Sequence, residues 1–551
     1  MPAPRLLLVA LGCLCLIVLA HSAAAHRKRA PVHAAQTVLT PNYDGGLALS
    51  LTAILEDVRK AFHVPGMAVG IVHKNRTVLL KGFGLASEPD GPGGDKNFVT
   101  PDTWFMLASL TKAFTSFATG ILVSEGTLSW TSPIHKYCNV RFFDPVATER
   151  ATLVDLLSHR TGLGSGYDAV RGWRKSGAVL RDNLEALEPT KDFRESWQYS
   201  NLVFHIAGII AGNASSQGTW EELVQERILD PLRMSSTTVD FDESRGGDVA
   251  QGYYVFANGT KVAIPVEANR DGSRTGPSGV MGSTAQDMIN WIRALLSNGH
   301  DTSGRRMLDE KDFLKLQTPH MVMPGLPRYE EVSSPTYGLG WILNQYRGHR
   351  AVSHGGNRHG FSNQLCLFPD EDLGIIILTN ANANLAPYAA CNLIADRILF
   401  PSSPAILWSE RYIHTQDLIR KTRQAEYDER QQQRMPHTMP SLALPAYAGR
   451  YEHKAYGVLL IEHDAESRQL VIQSPTIGTW TASHWHFEAF NFVRSAPFYM
   501  PHETDALLSE DSGREMLIEF RKDGVTGVVT GLRNLDLERG IAGGVLFRRL
   551  R

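Results

Sequence analysis

A serine and a lysine three positions apart, Ser109 and Lys112, open the strongest apolar helix pattern in the chain. Side chains at this spacing lie on one face of a helix. At a helix N-terminus the free N–H groups favour negative charge, and a lysine held in apolar surroundings has a lowered pKa. Such a lysine can take the serine proton and make the hydroxyl a nucleophile. A Ser-x-x-Lys string also arises by chance about once in a chain of this length, so it does not decide the chemistry alone.

A second candidate is the segment Tyr199–Asn201, which precedes a helix pattern that begins at Leu202. A tyrosine near cations can have a lowered pKa and act as a base or an acid. The amide of Asn201 can donate a hydrogen bond to a substrate carbonyl. The alternative is structural, because Ser200 or Asn201 would serve equally well as a helix cap.

A third candidate is the run Ser353–Gly356, which ends a strand pattern. His354 can take part in a hydrogen bond, and Gly355 and Gly356 allow a substrate to approach the main chain closely. The alternative is a hairpin turn that contains an incidental histidine.

The elements that must position these residues alternate between strand and helix patterns. Strand patterns on either side of Lys74–Arg76 predict a β-hairpin with Asn75 in its turn. Helices are then predicted at Leu153–Ser158, Leu202–Ala211, Trp220–Leu229 and Ala285–Leu296. Strands at Leu339–Tyr346, Arg350–His354, Gln364–Phe368 and Gly374–Thr379 are followed by a helix at Ala386–Leu399. This order predicts an α+β fold, in which one antiparallel sheet is assembled from both ends of the segment, is flanked by helices and carries an all-helical subdomain.

The chain changes character after this segment. A polar, helix-forming stretch predicts a helical linker over residues 402–445. Short strand patterns of period two follow at Gly457–His463, Gln469–Gln473, Trp480–Phe487, Met516–Arg521, Val525–Thr530 and Gly544–Arg549. They predict a separate all-β domain over residues 446–551, either a small barrel or a sandwich.

The three chemical motifs occur in an order that resembles the serine β-lactamase and penicillin-binding-protein superfamily. More finely, the chain resembles the class C β-lactamase-like branch, which includes esterases and D-amino-acid peptidases. Further strings similar to that branch are Pro65–Met67, Leu156–Leu163, Gly279–Thr284 and Tyr337–Trp341. The resemblance covers about Leu47–Pro401, so the catalytic domain is placed at residues 47–401. The C-terminal domain resembles the lipocalin-like domain that some members carry.

The resemblance implies a role for each motif. Ser109 would be the acylated nucleophile, Lys112 its activator, and Tyr199 the general base and then the general acid. Asn201 would hold the acyl group, and the main-chain N–H groups of Ser109 and Asn357 would form the oxyanion hole.

On the strand, His354, Gly355 and Gly356 would line the substrate. True β-lactamases usually have lysine where this chain has His354. A histidine is mostly neutral at pH 7 and attracts a carboxylate less strongly than lysine does. This departure favours ester or amide substrates that have no carboxylate at that position.

The N-terminus predicts export from the cell. Arg5 precedes the apolar run Leu6–Ala20, and small residues end at Ala25, which is typical of a signal peptide over residues 1–25 followed by a lead over 26–46. An uncleaved membrane anchor is the alternative, although the run is short for a bilayer core of about 30 Å. We expect a secreted protein with no membrane span after cleavage.

Export changes how the cysteines and asparagines are interpreted. Cys138, Cys366 and Cys391 remain in the mature chain and allow at most one internal disulfide. Asn75, Asn213 and Asn258 each begin an N-glycosylation triplet, so the predicted product is a glycoprotein.

Composition and the remaining motifs narrow the function classes. With 55 Lys and Arg against 57 Asp and Glu, the net charge of −2 gives no basic excess for nucleic acid. His484 and His486 have no visible third ligand, and the chain has no H-E-x-x-H or G-x-S-x-G string, so we expect no metal and no cofactor.

The sequence therefore predicts a secreted serine hydrolase that forms an acyl-enzyme on Ser109. Its substrate would be a small molecule or a peptide with an ester, amide or lactam bond. An acyltransferase that uses the same acyl-enzyme is one alternative. A catalytically inactive binding protein that keeps the cleft is the other.

Overall fold

The structure of the chain, a computed structural model, describes part of the 551 residues. The described residues are 45–89, 97–164, 183–240, 248–264, 276–325, 327–382, 384–474, 478–494, 515–536, 541 and 543–550. The predicted signal peptide, with its Cys13 and Cys15, lies outside them. They divide into two compact units, the first drawn from 45–132 and 204–419 and the second from 133–203 and 420–551.

The helices are numbered in chain order. They are α1 Gly45–Ala61, α2 Thr111–Ser124, α3 Pro145–Arg150, α4 Leu153–Leu157, α5 Asn201–Ala214, α6 Trp220–Val224, α7 Ala285–Leu296, α8 Glu310–Leu316, α9 Ala386–Leu399 and α10 Trp408–Gln432. No helix among the described residues has the length and apolar character needed to cross a membrane.

The first unit is built on an antiparallel sheet. Its strands and two smaller pairs are β1 Gly66–His73, β2 Arg76–Ser87, β3 Asn97–Phe98, β4 Phe105–Met106, β5 Tyr253–Val255, β6 Lys261–Ala263, β7 Gly282–Ser283, β8 Met321–Val322, β9 Thr336–Tyr337, β10 Ile342–Tyr346, β11 His349–Arg358, β12 Phe361–Phe368 and β13 Leu373–Thr379. In the described part of the chain, nine of them form one sheet in the order β3-β2-β1-β13-β12-β11-β10-β9-β8. The central pairing of β1 with β13 joins the two ends of the segment, as the sequence predicted.

Helices cover both faces of this sheet. On one face, α1 and α9 pack on inward side chains of the central strands, and Trp408 of α10 completes this core. On the other face, α7 packs on β1 and β13. Because both faces are covered, β13 is buried along its whole length.

The hairpin predicted around Asn75 is confirmed. His73 pairs with Arg76, so Lys74 and Asn75 form a two-residue turn. Both turn residues have positive φ, of 50° and 59°, which matches the twist that two-residue hairpins require.

Helix α2 lies in the interior of the first unit, and every residue from Thr111 to Leu122 is buried. The ring of Phe114 stacks on Trp291 of α7 with centroids 4.2 Å apart, and Phe117 meets the same indole edge-on at 5.2 Å. An α-helix that is buried all round is held by packing on every side. This packing fixes the position of the turn that precedes it.

The C-terminal part of the second unit is a barrel. Its strands are β14 Gly449–His453, β15 Gly457–Asp464, β16 Gln469–Ser474, β17 Gly478–His486, β18 Ala489–Arg494, β19 Glu515–Lys522, β20 Val529–Asn534 and β21 Val545–Arg549. These eight described strands close into one antiparallel ring, with β14 beside β21. Inside, Tyr447, Phe490 and Phe520 pack with centroids 5.0–5.6 Å apart. The predicted all-β domain is thus a closed barrel and not a sandwich.

Some barrel strands differ from the sequence prediction. Strands β14 and β18 were not predicted, and the strand predicted at Val525–Thr530 begins only at Val529. The carboxylate of Asp523 accepts hydrogen bonds from the N–H groups of Val525 and Thr526, which makes this stretch a turn.

Candidate active site

Ser109 lies in a single turn of 3₁₀-helix, Ala108–Leu110, that leads directly into α2. The preceding residue, Ala108, has a φ of 51°, in a region that residues with a Cβ rarely adopt. Strain of this kind persists only where the surroundings impose it. The turn before α2 is therefore sharp and held in a fixed conformation, and the half-buried Ser109 lies in this turn.

Lys112 lies one turn into the helix and points its side chain back towards this serine. Its Nζ donates a hydrogen bond to Ser109 Oγ at 3.1 Å and another to the carbonyl oxygen of Ser278 at 2.7 Å. The side chain is wholly buried, and its nitrogen lies 5.4 Å from the ring centre of Phe204. The predicted pairing of serine and lysine on one helix face is present in the structure.

Polar side chains tie the serine turn to neighbouring segments. The hydroxyl of Thr111 donates to the carbonyl oxygen of Ala108 and accepts from the N–H of Met281. The buried amide of Asn363, on β12, donates to the carbonyl oxygen of Met106 at 2.7 Å. The turn is therefore held from two sides, by the 276–283 segment and by the main sheet.

Strand β11 runs beside the serine turn, and one glycine sets the distance between them. A Cβ on Gly356 would lie 2.1 Å from the carbonyl oxygen of Leu107 and 3.2 Å from Leu110. No side chain fits there, so glycine is needed at this position for the strand to approach the turn. Gly356 thus makes room for the serine turn, and the role of Gly355 and Gly356 in substrate approach stays a prediction. Gly355 and Asn357 are half-buried in the same strand.

His354 is buried on the same side of β11 as Gly356, with 4% of its surface exposed. The hydroxyl of Tyr337 lies 2.9 Å from its Nε2, and its Nδ1 lies 2.6 Å from the carbonyl oxygen of Gly355. A carbonyl oxygen only accepts, so Nδ1 carries the proton and Nε2 accepts from the tyrosine. Both ring nitrogens thus have protein partners in a neutral imidazole.

The surroundings of His354 keep it neutral. Its pKa is lowered to about 3, first by burial and then by the nearby charge of Lys112, while the hydrogen bond to Gly355 opposes this shift. The neutral histidine expected from an ordinary pKa near 6.5 is therefore reinforced by the fold.

Tyr199 and Asn201 lie in the second unit. The half-buried phenol of Tyr199 packs against the imidazole of His159, with ring centroids 4.4 Å apart and an interplanar angle of 38°. Asn201 is the first residue of α5. The hydroxyl of Ser200 has no hydrogen-bond partner among the residues that the structure describes, so its side chain is not a cap in this part of the chain. That Tyr199 and Asn201 face Ser109 stays a prediction.

Three neighbours of the candidate residues were not predicted. Ser278 supplies the carbonyl oxygen that holds Lys112, Tyr337 holds His354, and Phe204 lies beside the lysine nitrogen. Tyr337 begins one of the family-like strings, and Ser278 directly precedes another. These strings were the only signal in the sequence.

The remaining predicted positions are also described. The side chains of Asn75, Asn213 and Asn258 are exposed, the last of them in the turn between β5 and β6. Cys138, Cys366 and Cys391 are free thiols. In the described residues, His484 and His486 flank a bulge of β17, and no group of three metal-ligating side chains is present.

Comparison with known families decides the classification of this fold. The family model described as Beta-lactamase matches residues 51–399, which is more than half of the chain. The chain belongs to the beta-lactamase family. A second model, described as a domain of unknown function (DUF3471), matches residues 433–538.

Individual relatives of this beta-lactamase family member share less than a third of its residues. Unguisins hydrolase ungD' of Aspergillus campestris is 28% identical over 445 residues, 76% of this chain and 78% of its own length. The octameric penicillin-binding protein homologue from Pyrococcus abyssi has a TM-score of 0.55 at 20% identity and covers 91% of this chain and 99% of its own. The D-amino acid amidase from Ochrobactrum anthropi has a TM-score of 0.53 at 21% identity, over 65% of this chain and 100% of its own. The family match confirms the predicted superfamily, and the two solved structures share the predicted fold class.

Proposed function

We propose that this protein is a serine hydrolase that forms an acyl-enzyme on Ser109 and acts on ester or amide bonds. The observation that carries this proposal is the hydrogen bond between Lys112 Nζ and Ser109 Oγ, made by a wholly buried lysine. Membership of the beta-lactamase family and the similarity to a named hydrolase support it.

The chemistry begins with the serine proton. In its neutral form Lys112 directs one N–H to the carbonyl oxygen of Ser278, which leaves its lone pair to accept the proton of Ser109. The serine oxygen then attacks the substrate carbonyl, and the N–H groups of Ser109 and Asn357 stabilise the oxyanion. The close approach of Gly356 to Leu107 supports this assignment, because it brings β11 alongside the serine turn.

Tyr199 is proposed to give a proton to the leaving group and to activate the water that hydrolyses the acyl-enzyme. Asn201 is proposed to hold the acyl group. Support comes from the family match over residues 51–399, which includes both positions. The second reaction breaks the acyl bond to Ser109 and releases the acid, while Lys112 returns its proton to the serine oxygen.

The substrate class follows from His354. A neutral, buried imidazole whose two nitrogens are engaged offers no positive charge to a carboxylate. We therefore propose neutral esters, amides or peptides in preference to substrates with a carboxylate at this position. Comparison of kcat/KM for matched ester pairs with and without a terminal carboxylate tests this preference, and faster turnover of the carboxylates would overturn it.

Export and glycosylation remain part of the proposal. The predicted signal peptide over residues 1–25 supports secretion, and exposed positions for Asn75, Asn213 and Asn258 support attachment of glycans. Expression in a eukaryotic secretory host with Asn→Gln variants tests both points. A secreted product that loses mass stepwise in the variants is expected, and retention in the cell would contradict export.

A fluorophosphonate probe tests the acyl-enzyme directly. We expect one adduct on Ser109 by mass spectrometry in the folded wild-type protein and none in Ser109→Ala. Product analysis with an added alcohol or amine then separates a hydrolase from an acyltransferase, since the first gives mainly the acid. A folded protein without an adduct and without turnover of para-nitrophenyl esters would indicate a binding protein.

A further inference from the structure

His159 lies directly against Tyr199 in the second unit. The two ring centroids are 4.4 Å apart with an interplanar angle of 38°, and His159 is wholly buried. Its Nδ1 lies 3.1 Å from the main-chain nitrogen of Ser200. Because that nitrogen donates, Nδ1 must accept, and the imidazole fixes the main chain immediately after the tyrosine.

The main chain of His159 makes a second bond to the same segment. Its carbonyl oxygen accepts a hydrogen bond from the N–H of Gln198 at 2.8 Å. The residue has a φ of 59°, in the left-handed region where residues other than glycine are uncommon. His159 therefore holds the chain both before and after Tyr199, at the cost of an unfavourable backbone conformation.

A buried carboxylate anchors this turn. Asp155 accepts a hydrogen bond from Arg160 Nε at 2.6 Å and another from Arg194 Nη2 at 2.8 Å, and the N–H of Arg194 donates to the carbonyl oxygen of Arg160. Burial alone would raise the pKa of Asp155, but hydrogen bonds from Arg194 and Thr152 and the charge of Arg160 hold it below its usual range. The 190–200 segment is thus bonded to the His159 turn at Arg194 and again at the residues on either side of Tyr199.

We propose that His159 is a positioning residue for Tyr199. Its Nδ1 sets the main chain through Ser200, and its ring supports the phenol from one face. This inference rests on the proposed function, in which Tyr199 gives its proton to the leaving group. In this proposal His159 acts only through Tyr199.

Two substitutions separate the hydrogen bond from the ring. His159→Asn keeps an acceptor oxygen close to the position of Nδ1, and asparagine tolerates the left-handed conformation. His159→Phe keeps a ring and removes the acceptor. Ser200→Pro removes the donated N–H and leaves His159 unchanged, so it carries the test if His159→Phe does not fold. His349→Phe, at the start of β11, is the control for a histidine-to-phenylalanine change elsewhere.

The measurement is the dependence of kcat/KM on the leaving group, with phenyl acetate and para-nitrophenyl acetate as probes. In this reaction the Ser109 oxygen bonds to the acetyl carbon, the bond to the phenol oxygen breaks, and the Tyr199 proton goes to that oxygen. Phenolate is the poorer leaving group, so it depends more on this proton. A merely structural loss would lower both rates equally.

We expect His159→Phe and Ser200→Pro to lower kcat/KM for phenyl acetate about tenfold more than for para-nitrophenyl acetate. The ratio of kcat/KM for para-nitrophenyl acetate to kcat/KM for phenyl acetate should stay within about threefold of wild type in His159→Asn. His349→Phe should not change this ratio. Combining His159→Phe with Tyr199→Phe should give the ratio of Tyr199→Phe alone, because the two residues act through one proton transfer.

The outcomes distinguish this inference from the proposed function. If Tyr199→Phe leaves the ratio unchanged, the proton-transfer role of Tyr199 is wrong. If Tyr199→Phe changes the ratio and neither His159→Phe nor Ser200→Pro does, the positioning role of His159 alone is wrong. Equal changes in His159→Asn and His159→Phe would likewise overturn the role given to the Nδ1 hydrogen bond.

Discussion

The side-chain nitrogen of Lys112 donates a hydrogen bond to the main-chain carbonyl oxygen of Ser278 over 2.7 Å. The same nitrogen lies 3.1 Å from Ser109 Oγ. The position of the amine is therefore set by main chain from a distant segment and not by the helix alone. An amine held in this way needs little reorganisation when it accepts a proton.

Replacement of this lysine should remove the activator of Ser109 and leave the fold in place. Lys112 is wholly buried, so alanine would leave a cavity, whereas Lys112→Met keeps most of the volume. We expect acylation by a para-nitrophenyl ester to slow by about 10²- to 10⁴-fold, measured as the burst rate in stopped flow. Combining Lys112→Met with Ser109→Ala should cost little more than the worse single change, and independent losses that multiply would contradict the mechanism.

Gly356→Ala should damage the site through the main chain. The added Cβ would meet the carbonyl oxygen of Leu107 at 2.1 Å, so strand and serine turn must move apart. Overpacking of this kind costs about 1–3 kcal/mol of unfolding free energy, and we expect esterase activity to fall by at least about tenfold. Gly524→Ala, which adds a Cβ with no neighbour within 4 Å, is the matched control. Equal activities of the two variants would show that the approach of β11 is not needed.

Most of the first unit could be predicted from the sequence because its elements are long and strongly patterned. Helix α9 has the predicted bounds, and strands β11, β12 and β13 contain the predicted segments. Helix α1 was missed, although Leu51 and Leu55 recur at helical spacing on its buried side. In the barrel, β14 was missed because only one of its residues, Tyr451, is buried, so the strand shows no alternation of apolar and polar residues.

The site was predicted less completely than the fold. Ser109 and Lys112 are neighbours in one helix turn, so their spacing alone indicates their contact. The bond from Lys112 to Ser278 joins residues 166 positions apart, and no local pattern encodes such a contact. The two engaged nitrogens of His354 likewise depend on Tyr337, which a different strand brings into place.

The buried state of His354 predicts an acid-sensitive fold. The unfolded chain binds a proton near pH 6.5 that the folded protein does not take up until about pH 3. The contribution of His354 to the unfolding free energy is therefore fully present above pH 6.5 and falls as the pH drops from 6.5 towards 3, by about 2 kcal/mol at pH 5. His354→Gln should lose less stability between pH 7 and pH 5, measured by denaturant unfolding.

The control for this prediction is His437→Asn, which replaces an exposed histidine. It should keep the wild-type dependence on pH. The same decrease in stability for His354→Gln and the wild type would mean that His354 is protonated in the folded protein. The neutral-substrate argument would then fall with it.

The thiols of Cys138 and Cys391 should react slowly. Burial raises the pKa of Cys391 well above its ordinary value, and the adjacent Cys366 raises it further; burial also raises the pKa of Cys138. Since the thiolate is the reactive form, a chromogenic disulfide reagent should modify these two thiols slowly in the native protein. In denaturant it should titrate all three thiols. A count of one would instead reveal a disulfide.

The pairing of His73 with Leu373 places side by side two residues that are 300 positions apart in the chain. During synthesis, β1 and β2 leave the ribosome long before β13 is made. Until then, the edge of β1 that pairs with β13 in the folded protein stays exposed. Loop closure over such a length is slow, and exposed edges invite pairing with other chains. Aggregation of this protein should therefore be decided while the polypeptide is still incomplete, and fragments that end before residue 373 should be its most aggregation-prone forms.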